Sequence, residues 1–271
     1  MPSFVLQLLI TLGLATGQTT PTPPHDIVFT ADFDASPQRY VALEPEGFQP
    51  SAPVSILIAL HGHGSDRWQF IRDPRDECKA ARDCAVKHRM VFVSPDYRAK
   101  TSWMGPAAEA DMVQILRDLR KKYSVQKIIL SGGSMGGTGA LTFATLHPEL
   151  IDGVVSLNGT ANLVDYDQFQ EAIATSFGGT KSVKPEEYRK RSAELNASQL
   201  TMPIACTTGG LDKLVPPESV VRLMAQLQKQ NRPTHLIHRP QGGHDTTYAD
   251  ATEAFEWVVS RLAIRKPPSV K

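Results

Sequence analysis

The residues Lys127–Ala140, KIILSGGSMGGTGA, decide how this chain is read. Lys127–Leu130 is a short isoleucine-rich apolar run, the pattern of a strand covered on both faces. The chain then turns through Gly132 and Gly133, sets Ser134 at the bend and leaves through Met135, Gly136 and Gly137. The following ALTFATLH has the spacing of a buried helix, which Pro148 stops. Strand, tight turn with a serine at its apex, then helix: this is the G-x-S-x-G elbow in its expected context. The glycines give the backbone room for a turn that side chains would block, and the turn presents the serine hydroxyl at a helix N-terminus, where developing negative charge is favoured. A phosphate-cradling loop is the rival reading, but it requires G-x-x-x-x-G-K-[ST], and no lysine follows Gly137.

Outward from the elbow, the chain alternates strands with helices. Ile27–Phe33 and Arg39–Leu43 alternate apolar with polar residues and predict an antiparallel lead-in pair. Val54–Leu60, VSILIAL, predicts a central strand and ends in His61-Gly62-His63-Gly64. A helix over 74–88, a strand over 90–94 and a helix over 106–123 lead to the elbow, and Gly153–Leu157 is the sixth strand. Residues 158–200 break the rhythm: they are polar, carry Gly178-Gly179 and predict a small cap-like insertion. A strand at Ile204–Thr208, a helix over 218–230, a strand at Thr234–Arg239 and a helix over 246–262 complete the pattern. The fold class expected is α/β, a doubly wound, mostly parallel sheet with helices on both faces. Such sheets bind ligands beyond the carboxyl ends of their strands.

Three reactive side chains fall in loops after strand ends. Ser134 follows the elbow strand, Asp212 the next strand but one in TTGGLDKLVPP, and His244 the last strand in RPQGGHDTT. Their order along the chain is Ser, Asp, His. With LHGHG (Leu60–Gly64), GGSMGG (Gly132–Gly137), GGLDKLVP (Gly209–Pro216) and GGHD (Gly242–Asp245), the chain resembles the α/β-hydrolase-fold serine esterases. Among them it is most similar to secreted carbohydrate esterases, feruloyl esterases and polyhydroxybutyrate-depolymerase-like proteins, over about residues 38–262. The resemblance implies acyl transfer, with Ser134 as nucleophile, His244 as the base that takes its proton and Asp212 as the group that holds the imidazole. It implies an oxyanion hole made by the backbone N–H groups of Met135 and His63. The substrate expected is a small ester or an ester-decorated polysaccharide, carrying short acyl or aryl groups.

Trp103, in a loop after a strand, and the His63 side chain are candidate substrate contacts, each with packing or solvent exposure as its alternative. His61 is expected to bind its own loop. Asp245 and Thr246 are expected to cap the last helix, and Asp165 and Asp167 are poorer candidates for the acid. Two other functions stay open: a prolyl-oligopeptidase-like peptidase, which shares this elbow and triad, and a catalytically silent binding protein on the same fold.

Bulk properties fit one domain. The 271 residues are 41% hydrophobic and 21% charged with a net charge of +1, which gives no footprint for nucleic acid. No apolar run reaches the roughly 20 residues of a membrane span. Residues 1–17 predict a signal peptide, with the apolar run Phe4–Ala15 and small residues Ala15 and Gly17 before Gln18, and hence a secreted or periplasmic protein. Residues 18–24 predict a Thr/Pro-rich tether, 25–265 the single domain and 266–271 a frayed tail. Cys78, Cys84 and Cys206 make no disulfide framework, since the first two point to different faces of one helix. Neither C-x-x-C nor H-E-x-x-H occurs, so the sequence predicts no metal and no cofactor.

Overall fold

The computed structural model describes residues 23–49 and 51–262. The predicted signal peptide, nearly all of the tether and the tail lie outside them.

Eight strands form one sheet: β1 (His25–Thr30), β2 (Pro37–Leu43), β3 (Pro53–Leu60), β4 (Val91–Pro95), β5 (Ser124–Gly133), β6 (Gly153–Leu157), β7 (Ile204–Gly209) and β8 (Thr234–Arg239). Their spatial order is β1-β2-β4-β3-β5-β6-β7-β8. β1 and β2 pair antiparallel, β2 joins β4 antiparallel, and β4, β3, β5, β6, β7 and β8 run parallel. This is the α/β-hydrolase arrangement that the motif order predicted. The parallel strands are apolar because helices cover both faces: every residue of β4, β6 and β7 is buried.

The helices are α1 (Gln69–Arg72), α2 (Asp76–Lys87), α3 (Pro106–Lys122), α4 (Met135–Leu146), α5 (Gln170–Phe177), α6 (Pro185–Lys190), α7 (Glu218–Lys229) and α8 (Tyr248–Leu262), with a 3₁₀ segment at Ala193–Gln199. α2 and α8 bury Ala81, Ala85, Phe255 and Val258 against one face. α3, α4 and α7 bury Met112, Leu116, Phe143 and Leu223 against the other. Two strands depart most from the sequence reading. β5 runs from Ser124 to Gly133 rather than over 127–130, because its polar lead-in pairs with the start of β3. β1 stops at Thr30, where Ala31–Ser36 turn back through a left-handed Ala35.

The insertion after β6 carries α5, α6 and the 3₁₀ segment, and a buried arginine fixes it to the body. The Arg191 side chain has no exposed surface. It donates to the Met104 carbonyl at 3.0 Å, to Glu109 on α3 at 2.6 Å and to Glu187 on α6 at 3.2 Å. Glu109 also accepts from His147 at 3.0 Å. Burial alone would raise the Glu109 pKa, but the His147 hydrogen bond and the Arg191 charge outweigh it and bring the carboxyl from its ordinary 4.5 to about 2. A depressed carboxylate contributes stability above pH 4.5 and loses it as the pH falls toward 2. The stability difference between wild type and Glu109→Gln, measured by thermal or denaturant unfolding, should be full above pH 4.5 and narrow progressively toward pH 2.

Candidate active site

Ser134 sits between β5 and α4 at φ 56°, ψ −117°, a conformation that a non-glycine residue holds only when its surroundings enforce it. Its amide donates to the Leu157 carbonyl at the end of β6 (2.8 Å), and its carbonyl accepts the first helical bond, from Thr138. The flanking glycines are required by contact. A Cβ on Gly136 would stand 2.0 Å from the Leu60 carbonyl oxygen. The end of β3 and the first turn of α4 therefore meet backbone to backbone.

The sheet brings Ser134, His244 and Asp212 into one hydrogen-bonded line. His244 Nε2 lies 2.9 Å from Ser134 Oγ, and His244 Nδ1 lies 2.6 Å from Asp212 Oδ2. Asp212 is buried, and its other oxygen accepts the backbone N–H groups of Leu214 and Val215, each at 2.9 Å. With the aspartate accepting at Nδ1, the imidazole carries its proton there and turns a bare Nε2 to the serine. Asp165 instead meets Arg222 and Asn162, and Asp167 meets Lys181; neither reaches His244.

Two amides beside the elbow have no protein partner among the described residues. Met135 N–H is the first of α4 and has no intrahelical acceptor, and among the described residues the His63 N–H donates to no protein group. The His63 loop is held from several sides: Gly62 N–H donates to Gln69 Oε1 (2.7 Å), and Gly64 N–H donates to the Lys100 carbonyl (2.8 Å). His61 is buried as expected of a loop-binding residue, its Nδ1 2.8 Å from the Gly62 carbonyl and its Nε2 3.0 Å from that of Asp96.

A cavity of about 330 Å³ opens over Ser134 and His244. His63, Phe169 and Leu214 supply its aromatic and aliphatic wall, while Arg75, Glu77 and Asp245 bring charge. The sequence did not single out Arg75, Glu77 or Leu214, which come from the start of α2 and the acid loop and whose approach depends on tertiary packing.

Two expectations are corrected. Trp103, a candidate substrate contact, has no exposed surface and does not line the cavity. It packs against Tyr166, Phe169 and His63, and its Nε1–H donates to His63 Nδ1 at 3.2 Å. It reaches the site through the two wall residues Phe169 and His63, and it fixes His63, whose pKa burial lowers, with the proton on Nε2. The cap of α8 is Thr247, whose hydroxyl accepts the Asp250 N–H (3.2 Å), so Asp245 is left to face the cavity. Asn158, which begins a glycosylation-like Asn-Gly-Thr, is buried and committed. Its side chain accepts from Thr207 and Thr246 and donates to the Gly243 carbonyl, tying the end of β6 to the histidine loop.

A model of the prolyl oligopeptidase family matches residues 99–263. Over 229 residues the chain is 22% identical to the dipeptidyl aminopeptidase BIII of Pseudoxanthomonas mexicana, covering 76% of this chain and 32% of that protein. Over 131 residues it is 31% identical to an sn-1-specific diacylglycerol lipase of Xenopus tropicalis, covering 48% of this chain and 39% of that one. The chain therefore spans about a third of the first relative's length and two fifths of the second's. The solved S-formylglutathione hydrolase of Staphylococcus aureus superposes with a TM-score of 0.66 at 18% identity, over 89% of this chain and 100% of that one, which shows the shared fold.

Trp103→Phe should cost about 1–3 kcal/mol by leaving the half-buried His63 Nδ1 without its donor and a gap beside it. Chemical denaturation should read this as a lowered midpoint with an unchanged slope.

Proposed function

The chain belongs to the prolyl oligopeptidase family of α/β-hydrolase-fold serine hydrolases, and on that premise we propose that it cleaves carboxylic esters of short acyl or aryl acids through an acyl-enzyme on Ser134. The observation that carries this reading is the unbroken line from Ser134 Oγ through His244 to the buried Asp212, beside two amides with no protein acceptor. His244 Nε2 takes the Ser134 proton as the oxygen attacks the ester carbonyl. Asp212 holds the imidazole in that tautomer and stabilises the imidazolium. The Met135 and His63 amides receive the oxyanion, one such donor being worth about 3–4 kcal/mol in the transition state. His244 then returns the proton to the leaving alcohol, and water, activated by the same histidine, releases the acid.

Substrate size follows from the wall. A cavity of about 330 Å³ with only Leu157, Phe169 and Leu214 as large apolar lining offers little surface for a long acyl chain. An alcohol as large as a sugar chain would lie across the polar mouth beside Ser65, Arg75 and Asp245. That arrangement supports the polysaccharide-linked esters that the family resemblance implied; the proteins named above are a dipeptidyl aminopeptidase, a diacylglycerol lipase and an S-formylglutathione hydrolase. A second reading is peptide hydrolysis. It is favoured by the family and by the carboxylates of Glu77 and Asp245 on the cavity wall, which suit a substrate ammonium group.

p-Nitrophenyl acetate, butyrate and octanoate should be hydrolysed with kcat/KM falling as the acyl chain lengthens. Ser134→Ala should lower kcat by at least about 10⁴-fold. A proline p-nitroanilide or dipeptidyl amide cleaved faster than every ester would make the peptidase reading the correct one. Asp212→Asn keeps the hydrogen-bonding shape and presents the wrong partner to His244 Nδ1, and should lower kcat by about 10⁴-fold without unfolding the chain.

A further inference from the structure

Away from the cavity, on the opposite end of α2, three metal-ligating side chains converge. Cys84 and His88 are one helical turn apart, at the last turn and C-cap of α2, and therefore share a face. Glu256 reaches them from α8, which packs against α2 in one buried cluster. His88 Nε2 lies 3.0 and 3.1 Å from the two Glu256 oxygens, and donor atoms of all three residues lie within 4.8 Å of one another. It is the one such group among the described residues.

We propose that Cys84, His88 and Glu256 bind a zinc-like divalent ion that clamps α2 to α8. The ligand chemistry selects the ion: a thiolate and an imidazole favour a borderline-soft metal, whereas magnesium and calcium need a shell of oxygens. Helix spacing supplies two ligands on one face, and a carboxylate from the facing helix supplies the third. A water would complete a four-coordinate site. A route in exists, since His88 and Glu256 keep about a quarter to a third of their side-chain surface in solvent while Cys84 is closed off beneath them. Binding is balanced by protons: the Cys84 thiol gives up one to solvent, and the His88 proton shifts from Nε2 to Nδ1 as Nε2 takes the metal. Lys87, now 2.9 Å from Glu256, turns to water.

The position gives the clamp a purpose. The N-terminal end of α2 carries Glu77, with Arg75 just before it, both on the cavity wall. α8 follows directly on the His244 loop. The same helix pair is already linked at that end, where Tyr248 N–H donates to Asp76 at the start of α2 (2.9 Å), while the Tyr248 O–H reaches further along the helix to Asp83 (2.7 Å). A metal at the far end would fix the helices at two points and so hold the cavity wall against the histidine loop. It takes no part in acyl transfer.

The test is titration of the chelator-stripped chain, kept reduced, with Co²⁺ as the spectroscopic probe and Zn²⁺ as competitor. One Co²⁺ per chain is expected, with thiolate-to-cobalt charge-transfer absorption and the intense visible bands of a four-coordinate site, both erased by Zn²⁺. Cys84→Ser should abolish the thiolate band. His88→Gln and Glu256→Gln, at partly exposed positions where folding is retained, should each weaken binding by more than about tenfold, and Cys206→Ser should leave it unchanged. Zinc about a hundredfold above its Kd should also raise Tm by a few degrees in wild type but not in His88→Gln. Absence of a thiolate–cobalt band, or binding as tight in both His88→Gln and Glu256→Gln as in wild type, would overturn the site and leave an ordinary ion pair beside a buried thiol.

Discussion

The close approach of α4 to the ends of β3 and β5 is the constraint on which the rest of the structure depends. Where a Cβ on Gly136 would lie 2.0 Å from the Leu60 carbonyl and one on Gly132 2.4 Å from the Gly136 backbone, only hydrogen fits. That contact fixes Ser134 in its positive-φ conformation and sets the first amide of α4 beside the loop that follows β3. The loop is then secured by side chains from elsewhere. Gln69 takes the Gly62 amide, Tyr97 donates its hydroxyl to the His61 carbonyl (2.5 Å), and Trp103 pins His63. The strain at one serine is thus balanced by a broad set of ordinary contacts, as expected where a reactive geometry is held in the ground state.

The acid and histidine loops obey a similar rule on the other side of the elbow. A Cβ on Gly209 would lie 2.1 Å from the Gly243 carbonyl, so the two loops run backbone against backbone. Leu211 N–H donates to the Gly242 carbonyl (2.8 Å) and Asn158 bridges from β6. These contacts place a buried carboxylate and an imidazole at hydrogen-bond distance without relying on flexible side chains. Asp212 can stay buried because three N–H groups satisfy it. Both loops also face the insertion, whose attachment through Arg191 brings Phe169 to the cavity wall.

Much of this was legible because it is written in glycine and in period. The GGSMGG, GGLD and GGHD pairs mark places where backbone must touch backbone, and the strand–helix alternation places all three loops at one edge of a sheet. The insertion was visible as the stretch where alternation stops. Trp103 was not, because a tryptophan in a post-strand loop has the same signature whether it faces substrate or core; its environment is set by Tyr166 and Phe169 from the insertion. Nothing local in the sequence reveals that Thr207 and Thr246 close over Asn158. The Cys84–His88–Glu256 group was invisible because its partners are 168 residues apart and the spacing of two ligands alone signals nothing. The motifs shared by esterases and peptidases also could not separate them, since both chemistries use one elbow and one triad.

The central claim, that Ser134 is the nucleophile activated by His244 and Asp212, is tested most directly by labelling the intact chain with a fluorophosphonate and mapping the adduct by mass spectrometry. The account predicts one adduct per chain, on the peptide containing Ser134, formed far more slowly in His244→Ala. Labelling at another residue, or at the same rate without His244, would contradict it.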